Sequence, residues 1–173
     1  MPVHSSRDAA QRATRGSARR AIVELRTLQA LRTVVGSARQ HDVRVRRATG
    51  VSGSQLWALD VIRQAAGITV TELAARLALH QTTASNLINA LAARSLIRRS
   101  RDRRDQRVVH LHVTTEGARL LVRAPRPLSG LLVDALGRMP ARDLQNFALS
   151  LAALLGAMHK SAPSAAGEFL LGE

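Results

Sequence analysis

Apolar residues recur at helical spacing near both ends of the chain. From Arg19 to about Val45 they fall three and four residues apart, which predicts one long amphipathic helix with Ile22, Leu25, Leu28, Leu31, Val34, Val35 and Ala38 on its apolar side. Pro140 suits the first turn of a final helix whose apolar side holds Leu144, Phe147, Leu151, Leu154, Leu155 and Met158. The pattern predicts a mainly helical protein.

Three shorter helices are predicted between them. Gly50 to Gly53 ends the first helix, and Ser54 is the expected cap of the next, which buries Leu56, Leu59, Ile62 and Ala66. Thr71 is the expected cap of a short helix that turns Leu73, Ala74 and Leu77 inward. After a turn at residues 78–80, a helix from about Gln81 to Arg94 places Ala84, Leu87, Ile88 and Leu91 toward the core.

The outer face of that helix is polar and contains no acid. It is predicted to hold Gln81, Thr82, Thr83, Ser85, Asn86 and Asn89. An ordinary solvated helix would carry Glu and Lys there, so this surface suggests a face that reads hydrogen-bonding groups on a partner.

Two strands are predicted after this helix, at residues 96–99 and 108–113, with a polar, arginine-rich hairpin from Ser100 to Arg107 between them. Thr114 or Thr115 caps the next helix, and Arg126-Pro127 bends or divides the helices that follow. The order helix, helix, turn, helix, strand, hairpin, strand predicts a winged helix-turn-helix, a mainly α fold with a small β-hairpin wing.

The charge is concentrated in two regions. The 173 residues carry 26 basic and 12 acidic side chains, a formal charge of +14, and Lys160 is the one lysine. Residues 1–47 carry +8 and residues 94–107 carry +5. This concentration predicts a polyanionic partner bound through its phosphates. Only Trp57, Phe147 and Phe169 are aromatic, which is too few for stacking on single strands and favours double-stranded DNA.

Several functional classes are disfavoured by the residue inventory. Without cysteine there are no disulfides or thiolate sites, and no uncharged stretch reaches the roughly 18 apolar residues of a membrane span. We find no glycine-rich phosphate loop, paired carboxylates or supported Ser/His/Asp set, so we expect neither an enzyme nor a cofactor or metal. The first 20 residues resemble a transit peptide in composition, but a flexible basic arm and a cytoplasmic protein are expected.

The predicted DNA contacts fall on two elements. The polar helix suits the major groove, where Asn and Gln can bond adenine. The wing contributes Arg99, Arg101, Arg103, Arg104 and Arg107. Arg103 and Arg104, at the tip, are placed to enter a minor groove. Asp105 and Arg107 could instead pair with each other and shape the hairpin. Asp102 is expected to shape the wing and not to contact phosphate.

The chain resembles the MarR (multiple antibiotic resistance regulator) family from about Arg19 to Lys160. Three segments carry the resemblance: residues 73–77 with 83–91, similar to the family's helix-turn-helix; Asp105-Gln106-Arg107, similar to its D-x-R wing signature; and residues 113–117, similar to its L-T-x-x-G. Ser95 replaces the usual Gly after the recognition helix, and the wing lacks the common Asp-Pro.

The resemblance implies a homodimer built from the N- and C-terminal helices, which binds a pseudo-palindromic operator through recognition helices about 34 Å apart. It further implies a repressor that a small anionic aromatic or phenolic effector releases from DNA. The expected segments are a flexible arm (1–17), a dimerisation helix (18–50), the winged domain (51–117), C-terminal dimerisation helices (118–160) and a tail (161–173).

Four residues keep alternative interpretations. Trp57 is either a core anchor or part of an effector pocket, and His41 is either a surface histidine or a partner for an anionic effector. His110 and His112 share a strand face at a spacing compatible with metal, but two ligands are too few and no acidic partner is expected nearby. The main alternative function is a constitutive or architectural DNA-binding protein without an effector, and a metal-sensing regulator is a weaker one.

Overall fold

The computed structural model describes residues 4–102, 105 and 108–161, and its side chains from residue 15 to residue 158 within those ranges. The elements are α1 (His4–Thr49), α2 (Gly53–Gln64), α3 (Val70–Leu77), α4 (Gln81–Ala93), β1 (Ile97–Arg101), β2 (Val109–Val113), α5 (Thr115–Arg123), α6 (Leu131–Gly137) and α7 (Ala141–Ser161). The chain divides into two compact units, residues 1–132 and 133–173. The predicted fold class, a mainly α winged helix, is confirmed.

The first helix is longer than the apolar pattern predicts. It begins at His4 instead of about Arg19, so residues 4–17, which lie outside the apolar pattern, are also helical. That segment lacks apolar periodicity but contains three Ala and three Arg, which have high intrinsic helix propensity. Such a segment can be helical without a buried face, because it extends a helix that is already formed and so avoids the cost of nucleation.

Among the described side chains of α1, none between residue 15 and residue 40 is buried. Ile22, Leu25, Leu28, Val34 and Val35 are 44–57% exposed. Burial begins only near the end of the helix, at His41 and Val45. There the Asp42 carboxylate accepts a hydrogen bond of 2.6 Å from the Gly53 N–H, which joins α1 to the start of α2.

Helix caps lie two residues earlier than predicted at two sites. Ser52, not Ser54, caps α2 in a capping box with Gln55, and Thr69, not Thr71, caps α3 in a capping box with Glu72. The Thr69 N–H and hydroxyl both donate to the Glu72 carboxylate and lower its pKa. Composition alone does not separate neighbouring Ser and Thr candidates, because the cap depends on the backbone conformation before the helix.

The core lies between the end of α1, the helices α2 to α5 and the wing. Its largest fully buried side chains are Leu56, Leu59, Ile62, Leu73, Ile88, Leu91, Leu111, Val45 and Val51. The inward residues predicted for α2, α3 and α4 are buried, or packed at the margin of the core as Leu87 is, with one exception. The predicted burial of Ala66 is wrong, because α2 ends at Gln64 and Ala66 is exposed. Trp57 packs at the margin of the core.

The wing is an antiparallel pair in which Ile97 faces Val113 and Arg101 faces Val109. Residues 67–69 run along the free edge of β2. The Gly67 N–H donates to the Leu111 carbonyl (3.0 Å), and the Leu111 N–H donates to the Ile68 carbonyl (2.9 Å). The hairpin is thus held to the connection between α2 and α3 by backbone bonds.

Ser95 adopts the left-handed conformation, with φ of 56°. This conformation explains why glycine is usual at that place in the resembling family, since a Cβ makes it unfavourable. Ser95 is nevertheless accommodated at this position. Its carbonyl accepts a hydrogen bond from the Thr114 hydroxyl (2.8 Å).

The C-terminal unit contains α7, which begins after Pro140 as predicted. Its apolar residues Phe147, Leu149, Leu151, Leu154, Leu155 and Met158 are 38–66% exposed. No helix within the described part of the chain is long and apolar enough to cross a membrane.

Candidate nucleic-acid interface

The candidate interface starts at the turn between α3 and α4. Ala78 ends α3 in the left-handed conformation, and the Leu79 N–H donates to the Ala74 carbonyl (2.9 Å). His80 is the N-cap residue of α4 and makes no side-chain cap bond, and the first turn of α4 contains no acid. This end of α4 therefore offers amide groups and a positive helix dipole to an anion.

The structure divides the six predicted reading residues into two groups. Gln81, Thr82, Asn86 and Asn89 are exposed, whereas Thr83 and Ser85 are half-buried. Among the described residues, the side chains of Gln81, Thr82 and Asn86 have no hydrogen-bond partner. These three side chains are therefore the most accessible of the six to a partner.

Asn89 and Ser85 face the wing. The Arg99 guanidinium donates to Asn89 Oδ1, and both residues line a small cleft with Ser85, Val70, Ile88 and Val109. Asn89 belongs to α4 and Arg99 to β1, so this bond joins the recognition helix to the wing.

The wing arginines are only partly described. Arg99 and Arg101 are exposed on β1, while Arg103, Arg104 and Arg107 lie outside the described residues, so their predicted DNA contacts remain predictions. The base of the hairpin is closed by bonds from the Asp102 N–H to Val108 (2.9 Å) and from the Asp105 N–H to the Asp102 carboxylate (3.1 Å). Asp102 therefore shapes the wing, as expected.

His110 has an acidic partner that the sequence analysis did not anticipate. Its Nδ1 donates to the Gly67 carbonyl (2.7 Å), and its Nε2 faces Asp102 Oδ2 at 3.2 Å. The bond to Gly67 and the one to Asp102 raise the pKa of His110 above its ordinary value, since only the imidazolium can donate to both. Sequence order hides this pair, because Asp102 and His110 meet only when the hairpin closes.

His112 has a separate partner, the Ser100 hydroxyl, 3.1 Å from its Nε2. In the described ranges no three His, Asp or Glu side chains are grouped as metal ligands. The two histidines fix the wing, one against Gly67 and Asp102 and the other across the hairpin.

The two candidate effector residues have different environments. His41 is 3% exposed, so the expectation of a surface histidine is wrong: its Nε2 donates to the Pro127 carbonyl (3.1 Å) and its Nδ1 has no partner in the described structure. Trp57 is half-buried against the core. No hydrogen bond connects the two side chains within that part of the chain.

Sequence reasoning missed a cavity of about 230 Å³ next to α5. Two guanidinium groups, Arg63 and Arg126, line it together with the apolar residues Ala118, Leu121, Val122 and Leu128. Arg63 is also paired with Asp60 (2.8 Å). The cationic and apolar lining comes from α2, α5 and the segment after α5, and no local pattern in the sequence connects these three.

Comparisons with known proteins agree with this geometry. Residues 49–108 match the model of the MarR family, and a search of curated proteins gives no significant match. Streptococcus pneumoniae FabT in complex with DNA is 21% identical with a TM-score of 0.53, over 79% of this chain and 98% of that one. An S. aureus MepR–DNA complex is 20% identical with a TM-score of 0.55, over 75% and 96%.

Streptomyces coelicolor PcaV in complex with its natural ligand is 20% identical with a TM-score of 0.54, over 75% of this chain and 91% of that one. At such identities the structural likeness establishes the fold alone, and the match to the MarR family model covers the segment from the end of α1 through the helix-turn-helix to the wing. The segment that forms the winged helix-turn-helix of this chain is therefore similar to the MarR family, over residues 49–108.

Proposed function

We propose that this protein is a homodimeric transcriptional regulator that binds double-stranded DNA and represses its target until a small anionic aromatic or phenolic molecule releases it. The observation that carries the DNA-binding function is the exposed, acid-free polar face of α4 beside the arginine-bearing wing. As a regulator of this kind it works in the cytoplasm, on chromosomal DNA.

The two parts of the interface have different tasks. Gln81, Thr82 and Asn86 lie in the first half of α4, the part of a recognition helix that reaches base edges in the major groove. The arginines of the wing neutralise phosphates and supply affinity that depends on salt. Charge therefore sets how tightly DNA is held, and the neutral helix chooses the sequence.

The exposed apolar residues of α1 and α7 support the homodimer. Each helix leaves at least five apolar side chains more than a third exposed, and a second copy is the partner that this family's architecture offers. Burial of these stripes in the dimer would also set the distance between the two recognition helices.

The effector site proposed here is the cavity at Arg63 and Arg126. A guanidinium group binds a carboxylate with two parallel hydrogen bonds, and the apolar side chains Leu121, Val122 and Leu128 accept an aromatic ring. Buried His41, bonded to the carbonyl of Pro127 next to Arg126, couples the end of α1 to one wall of this site. A pocket that includes His41 and Trp57 is a weaker candidate, because His41 is bonded to Pro127 and Trp57 packs against the core.

The DNA-binding function is tested by selecting the duplex that binds most tightly from a random library. Fluorescence anisotropy then measures the affinity of the protein for this selected duplex and for a duplex of shuffled sequence. Asn86→Ala is expected to weaken binding to the selected duplex by about 5- to 150-fold, the value of one base-specific contact, with little change on shuffled DNA. Asn146→Ala, an exposed Asn of α7, is the matched control. Equal losses on both duplexes would contradict base reading by α4.

Effector binding is tested with salicylate and 4-hydroxybenzoate, by thermal melting and by release of the selected duplex. Both compounds are expected to raise the melting temperature and to release DNA, and Arg126→Ala is expected to abolish both effects while leaving DNA binding intact. If these and a wider panel of aromatic acids change neither property, the constitutive DNA-binding protein becomes the better description. The exposed arginines of α1 favour that second candidate, since they could bind any duplex.

A further inference from the structure

The bond between Asn89 and Arg99 changes the task that the sequence suggests for Asn89. An asparagine reads adenine with both ends of its amide, accepting from N6 through Oδ1 and donating to N7 through Nδ2. In this structure Oδ1 already accepts a hydrogen bond from Arg99. Asn89 also lies in the third turn of α4, beyond the N-terminal half that reaches base edges.

Arg99 is fixed at its backbone by the wing, and its guanidinium is exposed. In the register of the wing it faces Leu111, which is fully buried, and it shares a sheet face with buried Ile97. Its side chain lines the cleft with Val70 and Ile88 and reaches Asn89 at the rim. The guanidinium is exposed and has five N–H donors, of which Asn89 takes one.

A guanidinium held in this way suits a phosphate of the DNA backbone. Within the described part of the chain, its nearest neighbours in the cleft, Ser85 and Asn89, are neutral, and no carboxylate pairs with it. Holding a flexible side chain in its bound orientation before binding removes an entropic cost of the complex.

We propose that Asn89 is a positioning residue, which holds Arg99 at the junction of recognition helix and wing so that the Arg99 guanidinium binds a DNA phosphate there. This inference rests on the proposed DNA-binding function. Under this proposal Asn89 contributes to the affinity for any DNA, and Asn86 contributes to the choice of DNA sequence, although both lie on the same polar face.

A double-mutant cycle on the full-length protein tests the proposal. Asn89→Ala, Arg99→Ala and the double variant are titrated with the selected and the shuffled duplex at several salt concentrations. Both residues are exposed, so the variants are expected to fold, and circular dichroism checks this. Arg99→Lys keeps the charge without the planar fork, and Asn86→Ala is the comparison for base reading.

Arg99→Ala is expected to weaken binding to both duplexes by about tenfold, as for loss of a hydrogen bond to a charged group, and to reduce the salt slope by about 0.9. Asn89→Ala is expected to weaken both by about threefold, which is the cost of ordering one long side chain. The double variant should bind no more weakly than Arg99→Ala, and preferences at individual base pairs should not change.

Three results would overturn the proposal. Asn89→Ala could relax the preference at one base pair, the two losses could add fully in the double variant, or Arg99→Ala could leave the salt slope unchanged. If the unmodified protein does not distinguish the selected from the shuffled duplex, the proposed function itself fails. If it does distinguish them and any of the three results is found, only the role of Asn89 and Arg99 is wrong.

Discussion

Gly117 lies where α5 packs against Leu96, just before β1, and against Val113 of β2, and we expect Gly117→Ala to destabilise the winged domain. The glycine is buried in the first turn of α5. A Cβ at this position would lie 2.2 Å from the Leu96 carbonyl oxygen and 2.9 Å from Val113 Cγ1. The first neighbour is backbone, so no side-chain rotation relieves the contact.

The magnitude follows from how firmly that carbonyl is held. It accepts hydrogen bonds from the Thr114 N–H and the Thr114 hydroxyl, both 3.1 Å. Moving it to even 3.0 Å from the new Cβ, a shift of about 0.8 Å, weakens both bonds. Overpacking of this kind costs up to about 3 kcal/mol, and the helix preference for Ala over Gly returns about 0.5–1 kcal/mol. The net loss is about 2 kcal/mol.

Thermal unfolding followed by circular dichroism at one protein concentration measures this loss. For a chain of this size, about 2 kcal/mol corresponds to a melting temperature about 4–8 °C lower. Gly16→Ala is the matched control, because Gly16 is helical and a Cβ there meets nothing within 4 Å. A melting temperature for Gly117→Ala equal to or above that of the parent would refute the packing argument.

Three further predictions concern the wing, the dimer and the DNA contacts. Because the pKa of His110 is raised in the folded protein by Gly67 and Asp102, with Glu72 contributing, its stabilising effect is complete below the ordinary histidine pKa of about 6.5 and is lost as the pH rises through the raised value. Melting curves between pH 5.5 and 9 should show this loss in the parent and not in His110→Gln, and parallel pH profiles would contradict it. Leu25→Glu with Leu28→Glu, at exposed apolar positions of α1, should convert a dimer to a monomer in light scattering without loss of the winged domain's helix signal; an unchanged mass would remove this stripe from the interface. Arg103→Ala with Arg104→Ala, a prediction from sequence alone, should reduce the salt slope of DNA binding by about one to two, whereas an unchanged slope would exclude the wing tip as a phosphate contact.

Much of the fold could be predicted from the sequence, because helices and strands bury faces with fixed periods. The spacing of Ala84, Ile88 and Leu91 placed α4 correctly and thereby identified its polar face. The same logic failed for residues 4–17, where helix propensity acts without an apolar stripe. It also failed for Ser54 and Thr71, because the choice among neighbouring caps depends on backbone geometry.

The sequence by itself determined the order of elements, the acid-free reading face and the concentration of arginine in the wing, because each of these is a local property of the chain. Only the tertiary structure decided that Asn89 binds Arg99, that His110 is held between Gly67 and Asp102, and that His41 is buried against Pro127. Partners 43 and 86 residues apart, as for His110 with Gly67 and His41 with Pro127, leave no periodic signal. They meet because the packed core fixes where each backbone segment lies, and the proposed division of α4 residues into base-reading and positioning groups depends on that packing.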